Sequence, residues 1–176
     1  SPLSWLDARI GRQVLTWGTG DLLFINDLFA KDWVSYFIGR DTEFLKAPIN
    51  AVKVSLYSSA MNLDVVWTPI FEPDRFVTGE RLSFYGPAAG GFVGGGRVVD
   101  ADYPDLSLGN GEVAGRLYRR LGSFEVAGYG YLGFWKQPLG FDPLRNQPTF
   151  PRLAVYGASG RGPLLGGLIH AEVGLS

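Results

Sequence analysis

Few side chains here have the type and spacing for catalysis. His170 is the one histidine, and the chain has no cysteine. That excludes disulfides, thiolate ligands and a cysteine nucleophile. A zinc site needs several histidines or cysteines, so neither a metal nor a cofactor is expected. A serine nucleophile needs a base held beside it, and no Gly-x-Ser-x-Gly elbow occurs. Asp64, Glu112 and Glu125 do not fall into a pair that spacing alone would set across a substrate. The run from Gly86 to Gly96, GPAAGGFVGGG, lacks the Gly-Lys-Ser/Thr ending of a phosphate loop. Asp100, Asp102 and Asp105 lack the glycine and closing glutamate of a calcium loop. An enzyme is not expected.

What recurs instead is charge at every second position. Asp7, Arg9 and Gln13 share a parity, as do Glu112, Arg116 and Arg120, and His170 and Glu172. Lys53, Asp64 and Glu125 hold the same place in their own segments. Alternate residues of a strand point to opposite faces. The opposite parity is apolar: Leu6, Ala8, Ile10 and Val14; Val52, Val54 and Leu56; Leu63, Val65 and Trp67; Ile169, Ala171 and Val173. Arg12 and Arg119 interrupt it. Two structures carry such a pattern. In a water-filled barrel the charged rows line the lumen and tune which solutes pass. In a soluble antiparallel sheet they face solvent. A lipid-facing surface would be aliphatic at mid-depth with aromatics at its ends. Trp5, Trp17, Tyr57, Trp67 and Trp135 are placed as such a girdle would be.

The elements that must position these rows are strands near 5–17, 51–59, 63–71, 111–121, 124–137, 153–159 and 165–175. Short turns are expected at 58–62, at Gly122-Ser123 and at Gly160-Arg-Gly-Pro163. Long connections are expected at 18–50, 72–110 and 138–151. The first is rich in aromatics and so ordered, and the second shows no strand or helix period. Connections that alternate between long and short, with strands of about ten residues, are the pattern of a transmembrane barrel. The expected fold is all-β: an antiparallel up-and-down transmembrane β-barrel with long extracellular loops and short periplasmic turns. About seven strands are present, as one barrel domain or as part of a larger barrel. The charged strand that runs into the aromatic-rich segment 18–33 predicts a loop folded into or over the mouth.

Composition agrees. Among 176 residues, 14% are aromatic, 19% charged and 25 are glycine, a balance that leans to β structure. A net charge of -1 gives no bulk attraction for nucleic acid. No run approaches the 18 apolar residues of a membrane helix. The chain starts without methionine and reads as a mature protein or as a piece of a longer one.

The stretch Gly11-Arg-Gln-Val-Leu-Thr-Trp-Gly18 resembles the Gly-Arg-Gln-x-x-x-Trp-Gly strand of Gram-negative outer-membrane porins, including alginate-export-type barrels. The resemblance covers one strand and the loop after it. It implies an outer-membrane barrel through which a hydrophilic or small organic solute diffuses. It puts Arg9 and Gln13 in the wall facing the lumen and makes the Asp21 to Trp33 loop the constriction, with Asp21, Asn26, Asp27 and Trp33 as its residues. The chain is shorter than those barrels and ends at Leu175-Ser176, without their terminal aromatic. The expected partners are outer-membrane lipid, a small solute and, for porins, further copies of the chain. The alternative is a soluble secreted β-barrel or β-sandwich that binds a lipid or sugar with its apolar face inward.

Overall fold

The structure is a computed structural model that describes residues 3–17, 25–86, 90–96 and 98–176. Its strands are β1 (Leu6–Val14), β2 (Pro48–Leu56), β3 (Asn62–Thr68), β4 (Phe84–Gly86), β5 (Gly91–Val93), β6 (Glu112–Leu121), β7 (Phe124–Phe134), β8 (Gly140–Asp142), β9 (Gln147–Thr149), β10 (Arg152–Leu164) and β11 (Gly167–Leu175). One short helix, α1 (Trp33–Phe37), follows β1. The chain is all-β. Seven strands form one antiparallel sheet in the order β1-β2-β3-β6-β7-β10-β11. Each long strand therefore pairs with the one before it, as an up-and-down meander requires. Two small hairpins, β4-β5 and β8-β9, stand apart from it.

The sheet is open. Among the described residues β1 pairs only with β2, and β11 only with β10, so the expected closure into a barrel is absent from this chain's own strands. The turn expected at Gly160-Arg-Gly-Pro163 is also corrected. β10 runs straight through it, with Arg161 opposite both Glu125 and His170. The hairpin turns two residues later. Leu164 faces Gly167 across Leu165 and Gly166, whose φ values are 51° and 79°. These are the angles of a type I′ turn, which matches the right-handed strand twist and takes positive φ at both centres, a region glycine adopts freely and leucine does not. The other short turns fall where the sequence puts them, around Ser58–Met61 and at Gly122-Ser123.

Register assigns the two faces. Asp7, Arg9 and Gln13 of β1 lie over Ser55, Lys53 and Ile49 of β2. Asp64 lies opposite Arg116, and Val66 opposite Ala114. This face is concave, because one short segment touches nearly the whole sheet from it. Leu15, Trp17, Phe29 and Ala30 form one core with Ile49 and Ala51 (β2), Val66 (β3), Ala114 (β6), Tyr131 (β7), and Leu153 and Val155 (β10). The Trp17 ring, just past β1, lies 6.2 Å from Tyr129 of β7, although four strand spacings of about 4.8 Å would hold flat strands roughly 19 Å apart, so the sheet curls. The core sits between this loop and the sheet.

The long connections also carry structure. The second, expected to be irregular, contains the β4-β5 hairpin, and the third contains β8-β9. They meet at the loop end of the sheet in a second core of Phe71, Ala101, Phe134 and Phe150. There the Phe71 ring stands 5.1 Å from both Phe134 and Phe150.

Candidate functional site: the concave face and the cleft above it

All of the alternating charged positions fall on the concave face, and Lys53, Asp64, Arg116, Glu125 and Arg161 form a ladder of alternating sign across the strands. Lys53 Nζ lies 3.6 Å from Asp64 Oδ2. Asp64 is the register partner of Arg116, whose Nη2 donates to Glu125 Oε1 at 2.9 Å. Arg161 Nη2 reaches the same oxygen at 3.1 Å and stands opposite His170. Arg120 also faces Glu125 in register. The Arg116 guanidinium lies 4.3 Å over the Tyr118 ring, a favourable cation–π placement. Beside the ladder, the Tyr129 and Ser159 hydroxyls are 2.9 Å apart. On β1, Arg9 Nε donates to Asp7 Oδ2 at 3.1 Å, and Gln13 Nε2 donates to Ala51 O at 3.0 Å.

Glu112 stands apart from the ladder, at the loop end of β6. It is buried to 3% exposure. It accepts a hydrogen bond from Tyr131 Oη at 2.6 Å and pairs with Lys136 Nζ. A buried carboxylate needs such partners, because removing one leaves an uncompensated charge. Glu112 thus fastens the loop end of β6 to the chain beyond β7.

The segment after β1 is folded onto this face. Asp21 lies outside the described residues. Asn26 and Asp27 are buried in the concavity at 3% and 6% exposure. Asn26 Nδ2 donates to Ala158 O and to Glu172 Oε2, each at 3.4 Å, so the loop that leaves β1 reaches the opposite edge of the sheet. Thr16 Oγ1 donates to Asp27 Oδ2 at 2.7 Å. Lys31 Nζ donates to Asp27 Oδ1 at 3.1 Å and to Phe29 O at 2.7 Å. Burial pushes the Lys31 ammonium below the ordinary lysine value, against the pull of Asp27 and Asp74. Asp74 Oδ1 accepts from Lys31 N at 2.8 Å. This chain of buried partners holds the loop as a plug.

Trp33 was grouped with Asn26 and Asp27 in the constriction, and here the structure differs. Trp33 begins α1, and its Nε1 donates to the far side of Asp74, Oδ2, at 2.8 Å. Its ring meets Tyr36 edge-on and Phe37 at a tilt. Asp32 caps the helix, its carboxylate accepting from Ser35 N at 2.9 Å, Ser35 Oγ at 2.8 Å and Arg75 Nη1 at 2.8 Å. Burial alone would raise the Asp32 pKa; those hydrogen bonds outweigh it and hold the value below that of an ordinary aspartate.

Trp33 belongs to a cleft at the loop end. α1, the β4-β5 hairpin and the segment around β8-β9 enclose a space of about 1130 Å³, open to solvent. Trp33, Phe37, Phe76, Phe84 and Phe141 supply aromatic wall. On its floor, Gln137 Nε2 joins Trp33 on Asp74 Oδ2 at 3.3 Å. Asp74 therefore lies between the cleft and the plug and bonds to both.

Trp5, Tyr57, Trp67 and Trp135 are exposed near strand ends, but Trp17 is buried. Its ring lies 4.9 Å from Phe29 and 6.2 Å from Tyr129, on the concave side. It shares the parity of Gln13 and Leu15, which places it inside. Arg161, Tyr129, Asp74 and Lys136 are site residues that the sequence reading did not single out. The parity of Leu153 and Val155, continued along β10, was the signal for Arg161. Compared with known proteins, the chain matches no family model, no curated protein and no solved structure, so its chemistry is read from this site alone.

Proposed function

We propose that this chain forms wall and plug of a bacterial outer-membrane β-barrel channel that passes a hydrophilic or small organic solute by passive diffusion. The observation that carries the reading is the contrast between the two faces of the sheet. The convex face exposes Ile10, Val14, Val65, Trp67, Val113, Leu117, Leu132, Ile169, Val173 and Leu175, with Ile10 at 83%. Soluble proteins rarely leave a contiguous apolar area of this extent uncovered. Its charged residues are confined to Arg12 and Arg152 towards the loop end and Arg119 two residues before a turn, where long side chains reach headgroups. β7, β10 below Arg152, and β11 carry no charge on this side. The ion-pair ladder lies on the other face, where a water-filled lumen would be.

The soluble alternative needs the apolar face inward. Here the packed loop covers the charged face and leaves the apolar one bare, so this reading is the weaker. In the channel the ladder sets the field that a solute crosses, and the plug sets the width. Cationic and anionic groups alternate in the ladder, so charge selectivity is set locally.

The test is partitioning and conductance of the full-length protein. The expected result is extraction by detergent only, a heat-modifiable β-rich band, and discrete conductance steps in a planar bilayer. Arg116→Glu, which breaks the Glu125 pair, should shift the cation-to-anion permeability ratio. A monomer soluble in plain buffer that makes no channels overturns the proposal.

A further inference from the structure

We propose that the cleft at the loop end is a binding site for a neutral, hydrophobic ring compound that carries a hydrogen-bond donor. The proposal deepens the channel reading by naming the solute class captured at the mouth, and rests on that reading for this role. Three features define the occupant. The first is size: about 1130 Å³, just above the usual range of small-molecule pockets, as an open cleft would be. The second is the wall. Trp33, Phe37, Phe76, Phe84 and Phe141 come from three separate segments, and their rings offer flat apolar surface that suits another ring by offset or edge contact. The third is charge. Among the described residues that line the cleft, Asp100 alone is charged, and none is lysine or arginine. Among these described residues an anionic ligand would meet a carboxylate and no counter-charge, while a donor on a neutral ligand finds an acceptor. Asp100 Oδ2 already accepts from Gln147 Nε2 at 3.0 Å and retains acceptor capacity.

The floor gives the site a route inward. A ligand resting on Trp33 and Gln137 sits one hydrogen bond from Asp74, and Asp74 holds the backbone of Lys31 at the base of the plug. The same carboxylate thus joins the capture site to the loop that obstructs the concave face.

Two fluorescent probes of one skeleton test the assignment. N-phenyl-1-naphthylamine is neutral, has two ring systems and an N–H donor; 1-anilinonaphthalene-8-sulfonate adds an anionic group. Both are titrated into the full-length protein in lipid nanodiscs, with Phe141→Glu and Leu139→Gln as cleft variants and Asp100→Asn as the charge variant. The expected result is tenfold or more tighter binding of the neutral probe, its loss in the cleft variants, and a narrower gap between probes in Asp100→Asn. Leu139→Gln, at the exposed rim, keeps the test in force should Phe141→Glu fail to fold. Equal affinity for both probes, or cleft variants that bind the neutral probe as well as the parent, overturns the assignment. Conductance of the same preparations is measured alongside. Channels without probe binding reject the cleft and spare the channel; binding without channels does the reverse.

Discussion

The plug is held against the sheet by a notch that a single methyl group would fill. Gly157 of β10 faces the concavity, and an added Cβ would lie 1.8 Å from Asn26 Oδ1 and 2.9 Å from Asn26 Cγ. Carbon and oxygen settle near 3.4 Å or beyond, so Gly157→Ala forces Asn26 out by more than an ångström. The strand cannot yield in its place, because Val173 O of β11 lies 2.9 Å from the same point. Displaced, Asn26 loses its hydrogen bonds to Ala158 O and Glu172. They are long at 3.4 Å, so each is worth about 0.5 kcal/mol, the low end for such bonds. Overpacking adds about 1–3 kcal/mol. The sum is about 2–4 kcal/mol, and its low end already corresponds to a roughly thirtyfold shift of the seated-to-open equilibrium. Hydrogen exchange of amides 25–31 is the direct assay: exchange should rise roughly thirtyfold or more there, while the β6-β7 ladder stays protected. Single-channel conductance should rise with it. Unchanged exchange in 25–31 would show that the loop does not depend on this notch and would sink the plug argument.

Val65→Arg places a charge mid-strand on the convex face of β3; a lipid-facing site predicts a loss of about 2–4 kcal/mol in unfolding from vesicles, and a change under about 0.5 kcal/mol rejects lipid contact. Lys31→Met removes a buried ion pair's cation while keeping its bulk, leaving Asp27 unpaired by charge; a loss of about 3–5 kcal/mol is expected by thermal or denaturant unfolding, and a loss below about 1 kcal/mol counts against a buried pair. Asp32→Ala removes the cap of α1 and should cost about 1 kcal/mol, seen as faster exchange of amides 33–38. The Asp32 pKa is lower folded than unfolded, so its stabilisation is complete above the ordinary aspartate value of 3.8 and is lost as pH falls through the lower folded value. The parent should therefore show an acid step in exchange of 33–38 that Asp32→Ala lacks.

The sequence shows the faces of the strands plainly, because a period of two survives any error at strand ends. Asp64 and Arg116 needed no structure to be placed on one side; that they face each other did. The register comes from pairing, and pairing across strands is not written in either strand alone. Arg161 was lost because Gly-Arg-Gly-Pro has the composition of a turn, whereas Leu165, a poor residue for positive φ, sits in the real one. Trp17 illustrates a different limit. Position near a strand end suits a membrane girdle, but its parity points inward, and parity prevailed. The cleft was not visible at all. Its walls come from α1, β4-β5 and β8-β9, whose short strands carry too few residues for a period to emerge, and only the fold brings Trp33, Phe84 and Phe141 together.

Neighbouring strands alternate in direction from β1 to β11, and seven is an odd number. The two free edges consequently run the same way. A ring that stays antiparallel all the way round needs an odd count of further strands between the Leu175 edge and the Leu6 edge. Identical copies cannot serve as that seam while keeping their loops on one side of a membrane. Every copy-to-copy joint would be parallel, with slanted and slightly weaker bonds. Strand direction therefore rules out an antiparallel seam between copies, and in the proposed channel the contacts between finished barrels would fall to convex side chains such as Ile10 or Val173. Arithmetic on strand direction separates what completes the wall from what gathers finished walls together.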